Sequence, residues 1–305
     1  MLPQSALHIL TTTILIANIS SHVMAKEKNP LTLSLEVGAE YDNNITVDAL
    51  DVTSQLGDEA ILFDGFIEYD FVNDGETSFT AGYSFSQSLY LDFTEFDLQI
   101  HGASLAASTR VKDVDIGISY RYSNISLGRE AFLEMHSVQP TFSTLIGTKF
   151  LLMGGYEYLK QNFQQPLQLE RSADRHSINI KNYFLLGKGK TINIGYKLSR
   201  HNAVASELIY WGHTFDLGLK LPVNIIDGAK FRTRYRYQQK NYSNIDPTLG
   251  ENRGDKRHSI RASLEVPLIQ NFNAKLQYEY TDSNSNLPVL VYNSHLITVK
   301  LGWEL

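Results

Sequence analysis

Four cations alternate with mostly aromatic residues in one short stretch of the sequence. Residues 230–239 read KFRTRYRYQQ, with Lys230, Arg232, Arg234 and Arg236 at every second position. Such interleaving is typical of nucleic-acid binding, where cations contact phosphates and rings stack on bases. The spacing also places all four cations on one face of a β-strand. Because the formal net charge of the chain is -6, the sequence argues against a nucleic-acid partner.

Two acid–histidine pairs have the residue types of a hydrolase site. They are Asp174 with His176 and Asp255 with His258. A histidine beside a carboxylate can act as a general base. No partner arrangement that would complete either site is visible in the sequence, so we expect ordinary polar residues and no enzyme.

Other kinds of catalytic or metal chemistry find no support in the sequence. The chain has no Cys, which removes disulfides, thiolate metal sites and cysteine nucleophiles. Its 9 His show no pair at helical metal spacing. GKGKT at 187–191 lacks the earlier glycine of a phosphate loop, because Phe184 stands at that position, and it reads as a hairpin turn. We expect no metal site and no cofactor.

Period-two alternation of apolar and polar residues predicts β-strands along most of the chain. It is clear at 31–41, 61–71, 79–85 and 114–122. Short polar connections lie at 73–76, 110–113, 146–149, 187–190, 225–228 and 268–271. Long polar connections lie between them, at 42–59, 123–136, 161–176, 241–256 and 281–290.

Tight turns on one side and long loops on the other are typical of an up-and-down barrel across a bacterial outer membrane. The sequence therefore predicts an all-β fold, a transmembrane antiparallel β-barrel of about 14 strands. Barrels of 12 or 16 strands are the alternatives, because residues 86–112 alternate poorly. An even count leaves both termini on the periplasmic side, where the short turns lie.

The N-terminus has features of a secretory signal. An apolar segment runs from Ile9 to Ala17, and Val23, Met24 and Ala25 have the small-residue spacing of a cleavage site. We predict a signal peptide over 1–25 and the barrel over 26–305, with an apolar N-terminal helix as the alternative. No later stretch approaches the roughly 18–20 apolar residues of a membrane helix.

Lipid contact would decide which way the cationic strand faces. An Arg or Lys pointing outwards near the bilayer midplane costs about 2–4 kcal/mol, so the cations are predicted to line the lumen. The predicted basic wall consists of Lys230, Arg232, Arg234 and Arg236. The predicted acidic wall consists of Glu36, Glu40, Asp64 and Glu68. Walls of opposite sign would either set up a transverse field or close the lumen with ion pairs, and the sequence leaves both alternatives open.

Aromatic residues near the strand ends predict an interfacial girdle. We assign Tyr41, Tyr122, Tyr237 and Trp303 to it, and Tyr242 follows the same pattern of a tyrosine before a polar loop. His213 falls on the apolar face of residues 209–221, and the sequence gives no reason for it.

The last strand alternates up to the final residue, with Ile297, Val299, Leu301, Trp303 and Leu305 on one face. A strand of this kind would pair with the first strand and remove the open edge of the sheet. It resembles the C-terminal signal that delivers outer-membrane proteins to the barrel-assembly machinery.

Residues 257–305 resemble a narrower group. With Tyr278, Tyr280, Asn286 and Gly302 in these relative places, they resemble the last hairpins of surface lipoprotein assembly modifier barrels and are similar to barrels found with exopolysaccharide export systems. GAEYDNN at 38–44 resembles the first strand of the same group. The resemblance implies an outer-membrane barrel with surface lipoprotein or polysaccharide as cargo.

Four functions remain as hypotheses at this point. The first is a pore or translocation conduit with a charged lumen. The second is an export or assembly factor for surface lipoprotein or polysaccharide. The third is a hydrolase at the outer rim, and the fourth is a plugged barrel whose loops bind a partner. The expected partners are outer-membrane lipid and the barrel-assembly machinery.

Overall fold

The computed structural model describes residues 29–47 and 49–305. The predicted signal peptide, 1–25, lies outside these residues. Among the residues described, no helix has both the length and the apolar character to cross a membrane.

Fourteen antiparallel strands of the described chain close into one barrel, which confirms the predicted strand count. The barrel strands are β1 (Leu31–Asp42), β4 (Asp58–Asn73), β5 (Thr77–Tyr90), β6 (Leu98–Val111), β7 (Val114–Leu127), β8 (Glu130–Ile146), β9 (Phe150–Phe163), β10 (Ala173–Gly187), β11 (Lys190–Ala203), β12 (Tyr210–Pro222), β13 (Lys230–Ile245), β14 (Asn252–Pro267), β15 (Phe272–Ser285) and β16 (Tyr292–Glu304). Two short strands, β2 (Thr46–Val47) and β3 (Val52–Thr53), pair within the first loop.

Pairing between the first and last strands closes the sheet. Leu35 lies opposite Trp303 and Val37 lies opposite Leu301 in this pair. The apolar residues of both strands point outwards, and Leu35 is 52% exposed. The predicted closure is therefore confirmed, and no strand edge is left to face hydrocarbon.

The six predicted short turns all lie at one end of the barrel, where β1 begins and β16 ends. The GKGK segment is one of them. Gly187 and Gly189 have φ angles of 77° and 73°, in the left-handed region that glycine adopts at little cost. The segment is thus a hairpin turn, as the sequence predicts.

The prediction of a long loop at 123–136 is wrong. Strand β7 continues to Leu127 and β8 begins at Glu130, so only Gly128 and Arg129 form the turn. Both have positive φ angles, 56° and 68°, as a type I′ hairpin requires. The strands extend this far because their inward residues are apolar and pack inside the barrel mouth.

Four other connections at this end are short loops that contain a 3-10 segment. These segments are Thr94–Phe96, Pro166–Arg171, Ser206–Leu208 and Pro288–Leu290. The loops at 91–97 and 204–209 are absent from the sequence prediction. The polar segments predicted at 161–176, 241–256 and 281–290 are partly strand.

The first loop folds back into the barrel mouth, and we call it the plug loop (residues 43–57, all described except 48). Its apolar side chains join inward residues of β4, β6, β7 and β8 in one buried cluster. The members from the plug loop are Ile45, Val47 and Leu50, and wall members include Leu62, Ile100, Ile125 and Leu133. The apolar core therefore lies at the long-loop end, inside the barrel.

The base of the plug loop is bonded to the last strand. The backbone N–H of Asn43 donates to the carbonyl oxygen of His295 at 3.2 Å, and the N–H of His295 donates to Asn43 Oδ1 at 2.7 Å. Asn44 Nδ2 donates to the carbonyl oxygen of Asn293 at 3.3 Å. These bonds attach the loop to the seam between β1 and β16.

The outward apolar face predicts a specific sensitivity to charge. Leu217 lies in the middle of β12 and is 49% exposed. In lipid vesicles, Leu217→Arg should lower the free energy of unfolding by about 2–4 kcal/mol, because the cation must leave water. Guanidinium titration of tryptophan fluorescence measures this loss.

Leu217→Ala is the matched control, and it should cost much less because it adds no charge. Equal unfolding free energies for Leu217→Arg and Leu217→Ala would contradict a hydrocarbon environment for this face.

Candidate functional site

The four cations of the predicted basic wall lie on the inward face of β13. Arg234 and Arg236 both bind Asp216 of β12, with N–O distances of 2.5 Å and 3.1 Å. Lys230 lies 3.3 Å from a carboxylate oxygen of Glu265 on β14, and Arg232 binds the same carboxylate. The acids on the two neighbouring strands therefore balance much of this wall.

Two acids of the predicted acidic wall, one on β1 and one on β4, pair with the same lysine of β16. Lys300 of β16 lies 3.3 Å from Glu36 and 2.5 Å from Asp64. Glu40 accepts a hydrogen bond of 3.0 Å from the Thr298 hydroxyl. Glu68 lines a cavity at the short-turn end.

Ion pairs between strands one or two apart recur in the lumen. Arg261 and Glu279 form another such pair, at 2.5 Å. The two walls do not join across the lumen in any of these pairs. Among the described residues, Lys220 and Lys275 face inwards without an ion pair, so the lumen keeps some positive charge on the C-terminal side.

A charge cluster on β9, β10 and β11 is absent from the sequence prediction. Glu157 is buried and lies 2.8 Å from Lys197 and 3.6 Å from Arg175. The period-two pattern could have placed Glu157 on the inward face, because it stands between two outward tyrosines. Its partners could not be identified without the register of three strands.

The lumen contains two cavities. One, of about 350 Å³, lies beneath the plug loop and is bounded in part by Ala49 and Asp51. The other, of about 360 Å³, lies towards the short-turn end. Arg121, Thr141 and Met153 line both cavities, so the two spaces adjoin at this level.

Ion pairs attach the plug loop to the wall opposite its apolar cluster. Asp51 lies 2.7 Å from Arg253 of β14 and 2.8 Å from Arg171 in the turn before β10. Arg253 also binds Asp255 at 2.8 Å and lies over the ring of Tyr242, 4.5 Å from its centroid. Because β6 and β7 lie seven strands from β13 and β14, the loop spans the mouth.

The Asp51 carboxyl stays ionised at neutral pH. Burial alone would raise its pKa, but the hydrogen bond and charge of Arg253, with the charges of Lys240 and Arg171, hold the pKa well below its usual value. A lowered pKa means that this attachment is complete at neutral pH and is lost only as the pH falls through the acidic range.

The proposed girdle residues point outwards, at two heights. Tyr41, Tyr122 and Tyr237 lie in the half of the barrel nearer the long loops, and Trp303 lies near the short turns. Tyr242 does not belong to the girdle, although it follows the same pattern of a tyrosine before a polar loop. Its side chain is buried and faces the lumen, where it packs against Arg253.

The members of the two acid–histidine pairs bind other side chains. Asp255 faces the lumen and binds Arg253, whereas His258 lies on the outward face of the same strand and binds Tyr235. Asp174 and His176 both lie on the outward face of β10. Asp174 accepts a hydrogen bond from Tyr158 at 2.8 Å, and His176 is hydrogen-bonded to Tyr156. In the part of the chain that the structure describes, no cluster of three or more His, Asp or Glu could hold a metal ion.

A closed barrel with an apolar exterior and a charged lumen defines an integral outer-membrane β-barrel. The family model for the surface lipoprotein assembly modifier matches residues 25–305. The chain belongs to this family, which confirms the resemblance seen in its terminal segments.

Solved structures share the fold at low sequence identity. An anion-selective porin from Comamonas acidovorans has a TM-score of 0.51 and 9% identity, with 90% of this chain and 98% of that chain covered. A loop L8 deletion mutant of OmpT, an outer membrane protein of Vibrio cholerae, has a TM-score of 0.52 and 8% identity, with 91% and 100% covered. None of the curated proteins matches the sequence.

The cluster on β9, β10 and β11 predicts a stability defect. Glu157→Gln leaves two neighbouring cations without their carboxylate, so it should lower the free energy of unfolding by about 1–3 kcal/mol. Glu170→Gln, in an exposed turn, is the control and should change it by less than about 0.5 kcal/mol. Denaturant titration in detergent micelles measures both, and equal effects would contradict the assigned ion pairs.

Proposed function

We propose that this barrel is a gated translocation conduit and that the plug loop is its gate. The observation that carries the proposal is the plug loop itself, which spans the mouth above a charged cavity. An apolar cluster holds one side of the loop and ion pairs hold the other. A loop attached in this way closes a conduit without removing the water-filled space beneath it.

The charged residues of β1, β4 and β13 are the proposed lining of the conduit. Lys230, Arg232, Arg234 and Arg236 form its basic wall, and Glu36, Glu40, Asp64 and Glu68 form its acidic wall. Because most of these charges are paired with a neighbouring strand, the lumen is polar without a strong field. Such a surface lets a mixed-charge chain pass without binding it tightly.

The direction of the conduit follows from its ends. We place the short turns and both termini in the periplasm and the plug loop at the cell surface, as in other barrels with short turns and long loops. Tyr41, Tyr122 and Tyr237 then form the outer aromatic girdle, and Trp303 belongs to the inner one. The last strand would present the chain to the barrel-assembly machinery.

Opening requires the plug loop to leave both of its contacts. The Asp51 carboxylate must separate from Arg253 and Arg171, and the apolar side chains must leave their cluster. A substrate segment with its own carboxylates would compete for the two arginines from below. The gate therefore responds to an acidic or strongly polar cargo segment more readily than to small ions.

Planar-bilayer conductance tests the gate. Asp51→Asn keeps the shape of the side chain but loses its charge, which should weaken the attachment by about 1–2 kcal/mol and raise the open fraction about tenfold. The wild-type barrel should show rare openings under the same conditions.

Asp227→Asn is the matched control, because it makes the same change in an exposed short turn. An open fraction that is the same for wild type, Asp51→Asn and Asp227→Asn would refute the assignment of the plug loop as the gate.

Assembly of surface lipoprotein is the specific form of transport that family membership favours. In this form the conduit or its rim carries a lipoprotein from the periplasm to the outer face. We propose no catalytic step for it, because Asp255 and His258 lie on opposite faces of β14, and Asp174 and His176 are each bonded to a tyrosine. Polysaccharide is the second cargo class, suggested by the similarity of the terminal hairpins to export barrels.

A tether across the mouth tests this role. The variant Asp51→Cys/Arg253→Cys replaces the ion pair with two thiols in a chain that otherwise has no Cys. Before cross-linking, cells should display lipoproteins at the surface. After treatment with a short bis-maleimide the plug loop is fixed, and new display should fall about tenfold.

Protease accessibility of metabolically labelled lipoproteins on intact cells measures display. Cells with the wild-type barrel, treated with the same reagent, are the control. Unchanged display after the tether has formed would show that cargo does not pass through the lumen.

A further inference from the structure

Six tyrosine–histidine pairs recur around the outward face of the barrel. In each, the tyrosine hydroxyl lies 2.5–2.9 Å from histidine Nδ1. The pairs are Tyr83–His101, Tyr120–His136, Tyr156–His176, Tyr196–His213, Tyr235–His258 and Tyr278–His295. This ring accounts for His213, whose place on an apolar face the sequence leaves unexplained.

Every pair occupies the same place in its hairpin. The tyrosine lies on the strand that runs towards a long-loop connection, and the histidine lies on the strand that returns from it. The residue directly opposite the histidine is aromatic in five of the hairpins, with ring centroids 4.8–5.2 Å apart. The remaining hairpin of this kind, β1 with β4, has Tyr41 opposite Glu59 and no histidine, so the ring is open there.

These contacts leave one nitrogen of each imidazole unused by the protein. Within the described residues, the structure gives no hydrogen bond to Nε2 of any of the six histidines. A neutral imidazole that accepts from a tyrosine hydroxyl at Nδ1 carries its proton at Nε2, which is then a donor. His176, His258 and His295 are exposed on the outside of the barrel.

Charged side chains of both signs lie on the outward face near the ring, and the cations lie above it. Lys160, Arg200 and Lys256 project on the outward face between the ring and the long loops. Of the acids on this face, Asp174 accepts from Tyr158 and Glu134 accepts from Tyr122, whereas Glu59 and Asp282 are exposed, and Asp282 lies opposite His258. A donor ring with cations directly above it complements a negatively charged group at the membrane surface.

We propose that this ring binds the phosphate groups of lipids in the outer leaflet. The fit is to a phosphorylated glycolipid, whose acyl chains lie against the apolar strands below and whose phosphates lie at the height of the imidazoles. The paired tyrosine fixes the orientation of each imidazole so that its Nε2 donor serves the lipid. This role is separate from the conduit and does not depend on how the lumen is used.

Native mass spectrometry of the detergent-solubilised barrel with bisphosphorylated lipid A tests the proposal. The variant with His176→Phe, His258→Phe and His295→Phe keeps a planar side chain at each position but removes three hydrogen-bond donors. We expect its binding of lipid A to fall about tenfold or more. His201→Phe, which makes the same change at a buried lumen residue, should bind as the wild type does.

A second variant separates lipid recognition from folding. Tyr156→Phe, Tyr235→Phe and Tyr278→Phe together break the same three hydrogen bonds but keep the imidazoles, so lipid binding should fall by less than in the histidine variant. Heat-modifiable migration on a denaturing gel shows that each variant is folded. If the histidine variant does not fold, a comparison of phosphorylated with dephosphorylated lipid A on the wild-type barrel tests the proposal by itself.

That comparison uses lipid A from which phosphatase has removed both phosphates. The wild-type barrel should bind the dephosphorylated lipid about tenfold more weakly than the bisphosphorylated form. Equal binding of the two lipids, or equal lipid binding by the folded histidine variant and the wild type, would overturn the proposal.

Discussion

The hydrogen-bonding needs of the backbone in hydrocarbon constrain everything else in this structure. Lipid offers no partner for an N–H or C=O group, so a sheet that enters the membrane must close on itself. Closure fixes β16 against β1, and this pairing fixes which residues face lipid and which face the lumen. The cations of β13 are therefore directed inwards by the cost of exposing them to lipid, and the charged lumen follows from the apolar exterior.

Local pairing makes a charged lumen compatible with a stable barrel. Asp216 and Glu265 lie on the strands either side of β13, and each is shared by two of its four cations without contacts across the space. Surface ion pairs contribute little free energy, but partly buried ones are costly to break. Cavities consequently remain within the barrel, and the plug loop lies across the mouth above one of them.

The sequence was most informative where a physical penalty was large and periodic. The outward positions, the short turns and the closing strand could all be predicted, because lipid contact permits only one register. The plug loop could not, since its apolar residues are few and lie in a polar segment. The long loop at 123–136 was wrongly predicted because Gly128 and Arg129 supply a tight turn that does not match the usual Asn-Gly pattern. The Tyr–His ring needed strand register, because each pair joins residues about 16–23 apart in the chain.

The attachment of Asn43 and Asn44 to β16 links the mouth to the last step of barrel formation. Until the C-terminal strand docks, the first loop lacks the hydrogen bonds at its base, although its apolar cluster and its ion pairs lie on other strands. The final position of this loop therefore depends in part on the pairing that completes the barrel, and a chain truncated at its end would lose both the closing strand and these hydrogen bonds.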